Sequence, residues 1–372
     1  MPFGPTVSNG VPLTSVGYQQ LGGAHSQHSQ LWQGYLASRH YNPQAVGCIG
    51  DSFVSGYNPG LTSWEQTWPL TLANMVTERY PVIGLSTYGR GCLTPLVNSN
   101  LTLDYVTVTG TPTTHYGYGF NLASYDISAG GGCTLTYHMD GDTALICYAV
   151  QPGGGTFSYK VDTGTATNVS TAAGSFADNA IIEVSLGAAG AHTLTIAWVS
   201  GGATWIDAVA EYNGDLNSGF QFYNMGSAGS TAGSWALWNP SMFASIFPAA
   251  MFISVGAADW LNGTSAATYQ GYLNTIIANV TAAVPYAISF LIVVPPQPLG
   301  SPASGSATWQ QYVNAMYAVS AANTNVDVID FTLRIPAAPY NGPYALYAAD
   351  GDLTNITHAW VADTLCTYLG PA

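Results

Sequence analysis

The group in this chain best placed to do chemistry is a serine at the end of an apolar run, Val46-Gly47-Cys48-Ile49-Gly50-Asp51-Ser52-Phe53. A run of strand length that breaks into Gly-Asp-Ser predicts a buried parallel strand followed by a turn that lifts one hydroxyl out of the sheet. Ligands of open α/β sheets bind outside the carboxyl ends of the strands, so Ser52 stands where a nucleophile would. The plainer reading of the same triplet is that Asp51 or Ser52 caps the next helix. A nucleophilic serine would need three further things: a base, a group to orient that base, and donors aimed at the developing oxyanion.

The elements that must position such a site follow from periodicity. Leu31, Tyr35 and Leu36 predict a short helix over residues 26–40, ahead of the first strand. Trp64, Trp68, Leu70, Leu72, Met75 and Val76 fall on a helical register that Tyr80-Pro81 stops, closing a strand-turn-helix unit. From about 106 to 212 the period changes to two, with short strands parted by glycine-rich turns, which predicts an antiparallel β-sandwich. Strand-helix alternation then resumes. Strands are expected at 219–224, 249–255, 288–294 and 326–329, with helices at 266–283, 308–322 and 358–369.

The predicted organisation has three parts. Residues 1–40 form an arm and short helix, 41–105 with 213–372 form one α/β domain, and 106–212 form an inserted module that leaves and rejoins it at nearby surface points.

Composition excludes several partners. The 372 residues hold 19 acids against five cations, Arg39, Arg79, Arg90, Lys160 and Arg334, for a net charge of −14, and only 6% of the chain is charged. No basic stripe is present to neutralise phosphates, which argues against nucleic acid and against an anionic membrane surface. No apolar run has the length to span a bilayer. The first residues carry neither a basic nor an apolar leader segment, so no secretory signal is expected. The five cysteines have no metal-ligand spacing; Cys133 and Cys147 either pair or share a buried face.

Gly50-Asp51-Ser52-Phe53-Val54-Ser55-Gly56 resembles block I of the SGNH (GDSL) hydrolases. That resemblance implies an α/β fold, a doubly wound parallel sheet interrupted here by the inserted antiparallel β-sandwich, with Ser52 attacking an ester. It also implies that the Ser52 N–H and a glycine N–H from block II hold the oxyanion. Asn224 to Thr231 is similar to block II, with Gly229 as the donor, and Tyr88-Gly89-Arg90-Gly91 is a second candidate. Block III is matched by Ser254 to Asn262, which keeps Gly256 and Asp259 but has Ala258 where the family places its Asn donor. Block V is matched by Asp350 to Asp363, with Asp350-Gly351 in place and Leu353 where the family's His belongs. Either the loop is rebuilt so that His358, with Asp350, Asp352 or Asn355 behind it, serves as the base, or there is no base and His358 is a helix-start residue.

The family resemblance implies no metal and no organic cofactor. The whole arrangement is similar to SGNH-domain minor tail proteins of phages infecting actinobacteria. This implies a phage-tail virion protein acting outside cells, with other virion proteins or further copies of itself as partners and a host cell-envelope glycan or ester as its target. Two functions stay open: an esterase-like enzyme, or a catalytically inactive SGNH fold kept as a structural or receptor-binding tail component.

Overall fold

The structure, a computed structural model, describes residues 27–56, 61, 63–82, 88–93, 105–214, 216–302, 306–339, 342, 344–348 and 351–370. The expected N-terminal arm and Asp350 lie outside the described residues.

In chain order the elements are α1 (Gln27–Ser38), β1 (Gln44–Gly50), α2 (Ser52–Ser55), α3 (Trp68–Arg79) and β2 (Tyr88–Leu93). Nine strands follow: β3 (Val106–Thr109), β4 (Thr113–Tyr116), β5 (Ala123–Asp126), β6 (Thr134–Met139), β7 (Thr143–Val150), β8 (Thr156–Val161), β9 (Thr167–Ser170), β10 (Ala177–Ser185) and β11 (His192–Ser200). Then come β12 (Trp205–Asn213), β13 (Phe220–Asn224), α4 (Ala232–Ala236), α5 (Phe243–Ile246), β14 (Pro248–Ser254) and α6 (Ala257–Leu261). The chain finishes with α7 (Ala266–Ala283), β15 (Ser289–Val294), α8 (Trp309–Ala322), β16 (Val326–Asp330) and α9 (Asn355–Tyr368).

One sheet is parallel throughout, in the order β13-β1-β14-β15-β16. Its strands are buried on both faces, and the alternation of side chains divides them between two cores. Val46, Cys48, Phe252, Leu291 and Val293 pack with Trp32 of α1, Val76 of α3 and Leu365 of α9. Ala45, Ile49, Met251, Ile253 and Ile292 enter the opposite core with Trp235 of α4, Leu273 of α7 and Met316 of α8. Helices therefore cover both faces. Helix α7 keeps the bounds predicted from its periodicity, and α8 is started by a capping box in which Thr308 and Gln311 satisfy each other's backbone N–H.

The remaining described strands form two antiparallel sheets. One runs β10-β7-β12-β5-β4, with β2 also paired to β12, and the other runs β3-β6-β11-β8-β9. Leu135, Phe157, Leu194 and Ile196 of the second sheet share a buried cluster with Ile146, Val184, Ile206 and Val209 of the first. The first sheet is buried on its other face too, where Cys147, Ala208, Ala210 and Tyr212 join the core of the parallel sheet beside Tyr223 and Trp238. Tyr88 to Gly91, read from the sequence as a possible oxyanion turn, is instead part of strand β2. Cys133 and Cys147 are both buried free thiols on opposite sides of the first sheet, so the pairing alternative is corrected to burial. No helix among the described residues is long and apolar enough to cross a membrane.

Candidate active site

Strand β1 ends against β14 at Gly50, where a Cβ would lie 1.9 Å from the carbonyl oxygen of Ser254, so only glycine lets the two strands stay paired up to the turn. Asp51 then caps α2: its Oδ1 accepts from the N–H of Phe53 at 3.1 Å, and its Oδ2 accepts from the N–H of Ala257 at 3.2 Å, at the start of α6. Burial pushes the Asp51 carboxyl up to about 6 against those bonds, and the nearby Asp259 charge adds to the rise. Asp51 thus ties the serine turn to the turn after β14. Helix α2 is stopped after one turn by Gly56 in the left-handed conformation.

Ser52 is the first residue of α2 and is half-buried. Among the described residues no side chain is hydrogen-bonded to its Oγ, and no backbone carbonyl accepts from its N–H. The turn after β13 is fastened beside it. The Ser227 N–H and the Ser230 hydroxyl both donate to the carbonyl of Gly50, at 2.8 and 3.1 Å. At Gly226 a Cβ would stand 2.3 Å from the backbone nitrogen of Ser55, so this turn lies directly on α2. Gly229 occupies the third position of the 227–230 turn with φ of 74°, exposed, and among the described residues its N–H has no backbone acceptor. The two N–H groups expected to hold an oxyanion are thus both free of backbone partners, on segments locked to each other.

Asp259, on α6, is buried and binds the N–H of Ala232 at 2.7 Å, anchoring the N-terminus of α4. Burial raises its carboxyl above the usual range, against the lowering effect of the backbone N–H groups it accepts from. Ala258, between Gly256 and Asp259, is half-buried and offers no donor. Sequence reasoning missed the roles of Asp51 and Asp259 as ties between turns. Asp51 immediately before α2 and Asp259 in the first turn of α6, both acids at helix starts, were the available signal.

His358 is placed as a helix cap. It is 1% exposed, and its Nδ1 accepts the N–H of Trp68, the first residue of α3, at 3.1 Å. An imidazole that accepts at Nδ1 is the neutral Nε2–H tautomer, and burial pulls its pKa down to about 3. His358 lies in the first turn of α9, as the helix-start alternative expects, and from there it satisfies an orphan donor of α3, where Thr67 makes no side-chain cap bond. Leu353, where the family's His belongs, is buried in the same cluster as Phe53 and Trp68. Its backbone bridges to Tyr347. Removing the cap in His358→Ala is expected to lower the unfolding free energy by about 3 kcal/mol, through the unpaired N–H and the cavity left behind; denaturant titration measures it, and a loss near zero would refute the capping role.

Among the described residues no three His, Cys, Asp or Glu side chains cluster as a metal would require. Beside the Gly229 turn lies a cleft of about 720 Å³ between that turn and the β4–β5 hairpin.

A parallel sheet wrapped by helices on both faces, a Gly-Asp-Ser turn at the end of its β1 strand and a glycine turn fastened beside it make an α/β fold similar to that of SGNH (GDSL) hydrolases. Residues 184–359, just under half of the chain, match the sequence model of the GDSL-like Lipase/Acylhydrolase family. That match begins within β10 and omits the Ser52 turn, which the antiparallel sheets separate from the remaining blocks. Among solved structures, a peptidoglycan O-acetylesterase is similar in fold, with a TM-score of 0.67 and 15% identity over 94% of this chain and 97% of that one. A family two carbohydrate esterase from Clostridium thermocellum, solved in complex with cellohexaose, aligns at 13% identity over 70% of this chain and 97% of that one, with a TM-score of 0.32. No curated protein matches the sequence.

Proposed function

We propose that this protein is a phage virion component, similar to minor tail proteins, whose esterase-like SGNH domain binds host cell-envelope glycans or their esters without turning them over. The observation that carries the silent reading is His358: its Nδ1 is committed to Trp68, and Leu353 fills the place of the missing base with a buried alkyl group. The free N–H groups of Ser52 and Gly229 suit it to holding an ester carbonyl without cleaving it. The virion placement draws on the sequence resemblance, on the low content of charged residues and on the glycine-rich antiparallel sheets that interrupt the α/β chain. In that setting the partners are other virion proteins or further copies of the chain.

The test is hydrolysis of p-nitrophenyl acetate by the wild type and by Ser52→Ala. The two are expected to show the same background rate. A rate that disappears with Ser52 would replace this reading by that of an active esterase.

A further inference from the structure

The cleft beside Gly229 is built half from the α/β domain and half from the antiparallel sheet. We propose that it binds a neutral glycan chain, an inference that rests on the proposed function and gives its ligand a place. Two tyrosines form one wall. Tyr116, at the end of β4, is 78% exposed, and Tyr118 follows it in the hairpin. The Tyr118 ring is held from behind, edge-on to Phe176 at 5.2 Å between centroids and tilted on Trp205 at 5.5 Å. The opposite wall carries the Ser227 and Ser234 hydroxyls, the Asn239 amide and Leu237, which is 87% exposed.

The walls are fixed to each other by backbone and side-chain bonds. The N–H of Asn239 donates to the carbonyl of Gly117 at 3.4 Å, and the Trp238 indole donates to the carbonyl of Gly119 at 2.8 Å. This is a preformed cleft.

Its chemistry selects the ligand. None of the lining residues carries a formal charge, so nothing there would neutralise a phosphate or carboxylate, and the net charge of −14 repels polyanions. A long acyl chain would need an enclosed apolar channel, whereas this cleft is open and hydroxyl-lined. Aromatic rings that present flat apolar faces, next to neutral donors and acceptors, match the C–H faces and hydroxyls of pyranose rings. Gly229 lines the same cleft, and its turn is fastened to the carbonyl of Gly50, so an ester carried by such a chain would lie beside the Ser52 turn.

The test is calorimetric titration of the full chain with chitohexaose and with cellohexaose. The wild type is expected to bind at least one of them. Tyr116→Ala and Leu237→Glu, both at exposed positions whose substitution spares the core, should each weaken binding by about tenfold or more. Tyr41→Ala, at another exposed tyrosine, should leave it unchanged. Absence of wild-type binding to both sugars would overturn the proposal, as would binding indifferent to Tyr116 and Leu237. Ester turnover that depends on Ser52 would instead refute the silent reading and leave the cleft standing, so the two failures are distinct.

Discussion

The paired substitution Leu353→His with Ala258→Asn is expected to produce hydrolysis of p-nitrophenyl acetate at about 10² to 10⁴ times the rate of the same chain carrying Ser52→Ala. A positioned base contributes about 10²- to 10⁴-fold, and one oxyanion donor about 10²- to 10³-fold. The two act as a unit with the serine, so their effects do not multiply, and the range for the base is the safer expectation. The serine turn is already braced by Asp51 against α6, and the Gly229 turn is braced against Gly50, so neither variant has to build those supports. The family resemblance places a proton acceptor at 353 and a third donor at 258, where this chain has Leu353 and Ala258. A polar ring at a site 4% exposed costs stability, about 2 kcal/mol, and circular dichroism must first show that the variant is folded. A folded double variant with no Ser52-dependent rate would mean that residue 353 does not face the serine, and the account of the missing base would have to change.

That experiment rests on a division the sequence already displayed in part. Strand β1 was legible because seven buried residues in a row leave no polar alternation, and α7 because its apolar positions recur at helical spacing between Ser265 and Val284. The serine turn was legible from three residues because the chain changes abruptly there from apolar to polar. The fate of His358 was not. Its partner is a backbone N–H 290 positions away in sequence, and a histidine looks the same from the sequence whether it caps a neighbouring helix or serves as a base. Strand β2 was missed for a related reason. Its sequence, Tyr-Gly-Arg-Gly-Cys-Leu, reads as a turn by its glycines, and it becomes a strand only by pairing with β12 more than a hundred residues later. The short β4 and β5, four residues each, carry too few positions for alternation to be read, yet their hairpin forms one wall of the cleft. The parts of the site set by local pattern were therefore visible, and those set by distant partners were not.

Acidification from pH 7.5 to about pH 5 is expected to stabilise the fold. Four buried carboxyls have native pKa values above the ordinary Asp value: Asp51 and Asp178 are each pushed up to about 6, Asp259 is raised, and Asp207 is raised well above the usual range. Burial is the main cause in each. For an acid whose native pKa is raised, the stabilisation is complete below the unfolded pKa near 4 and is lost as pH rises through the native value, because the unfolded chain releases its proton first. For Asp178 a shift of this size corresponds to at most about 3 kcal/mol between those limits. The group sits on β10 where the antiparallel sheet meets the α/β domain, and the Ser241 hydroxyl donates to its Oδ1. Asp207 of β12 is placed similarly, accepting from Ser124 at 2.5 Å, and its neighbour's charge pushes it up further once burial has done so. Deprotonation therefore places negative charge in the joint between the two parts of the molecule. His192 acts in the same direction, since bonds to Ala188 and Asp162 raise its pKa and their stabilisation fades as pH climbs through the raised value. His358 opposes it: burial holds its pKa down to about 3, so below about 6.5 the unfolded chain takes up the proton first, at about 2 kcal/mol by pH 5, which the four carboxyls together outweigh. Thermal melts between pH 5 and 7.5 should show a midpoint that falls steadily as pH rises, and Asp178→Asn, which keeps an oxygen for Ser241 but cannot ionise, should flatten that slope. A midpoint that is level or rising across the interval, or a slope unaltered by Asp178→Asn, would show that the joint is not where the proton linkage resides.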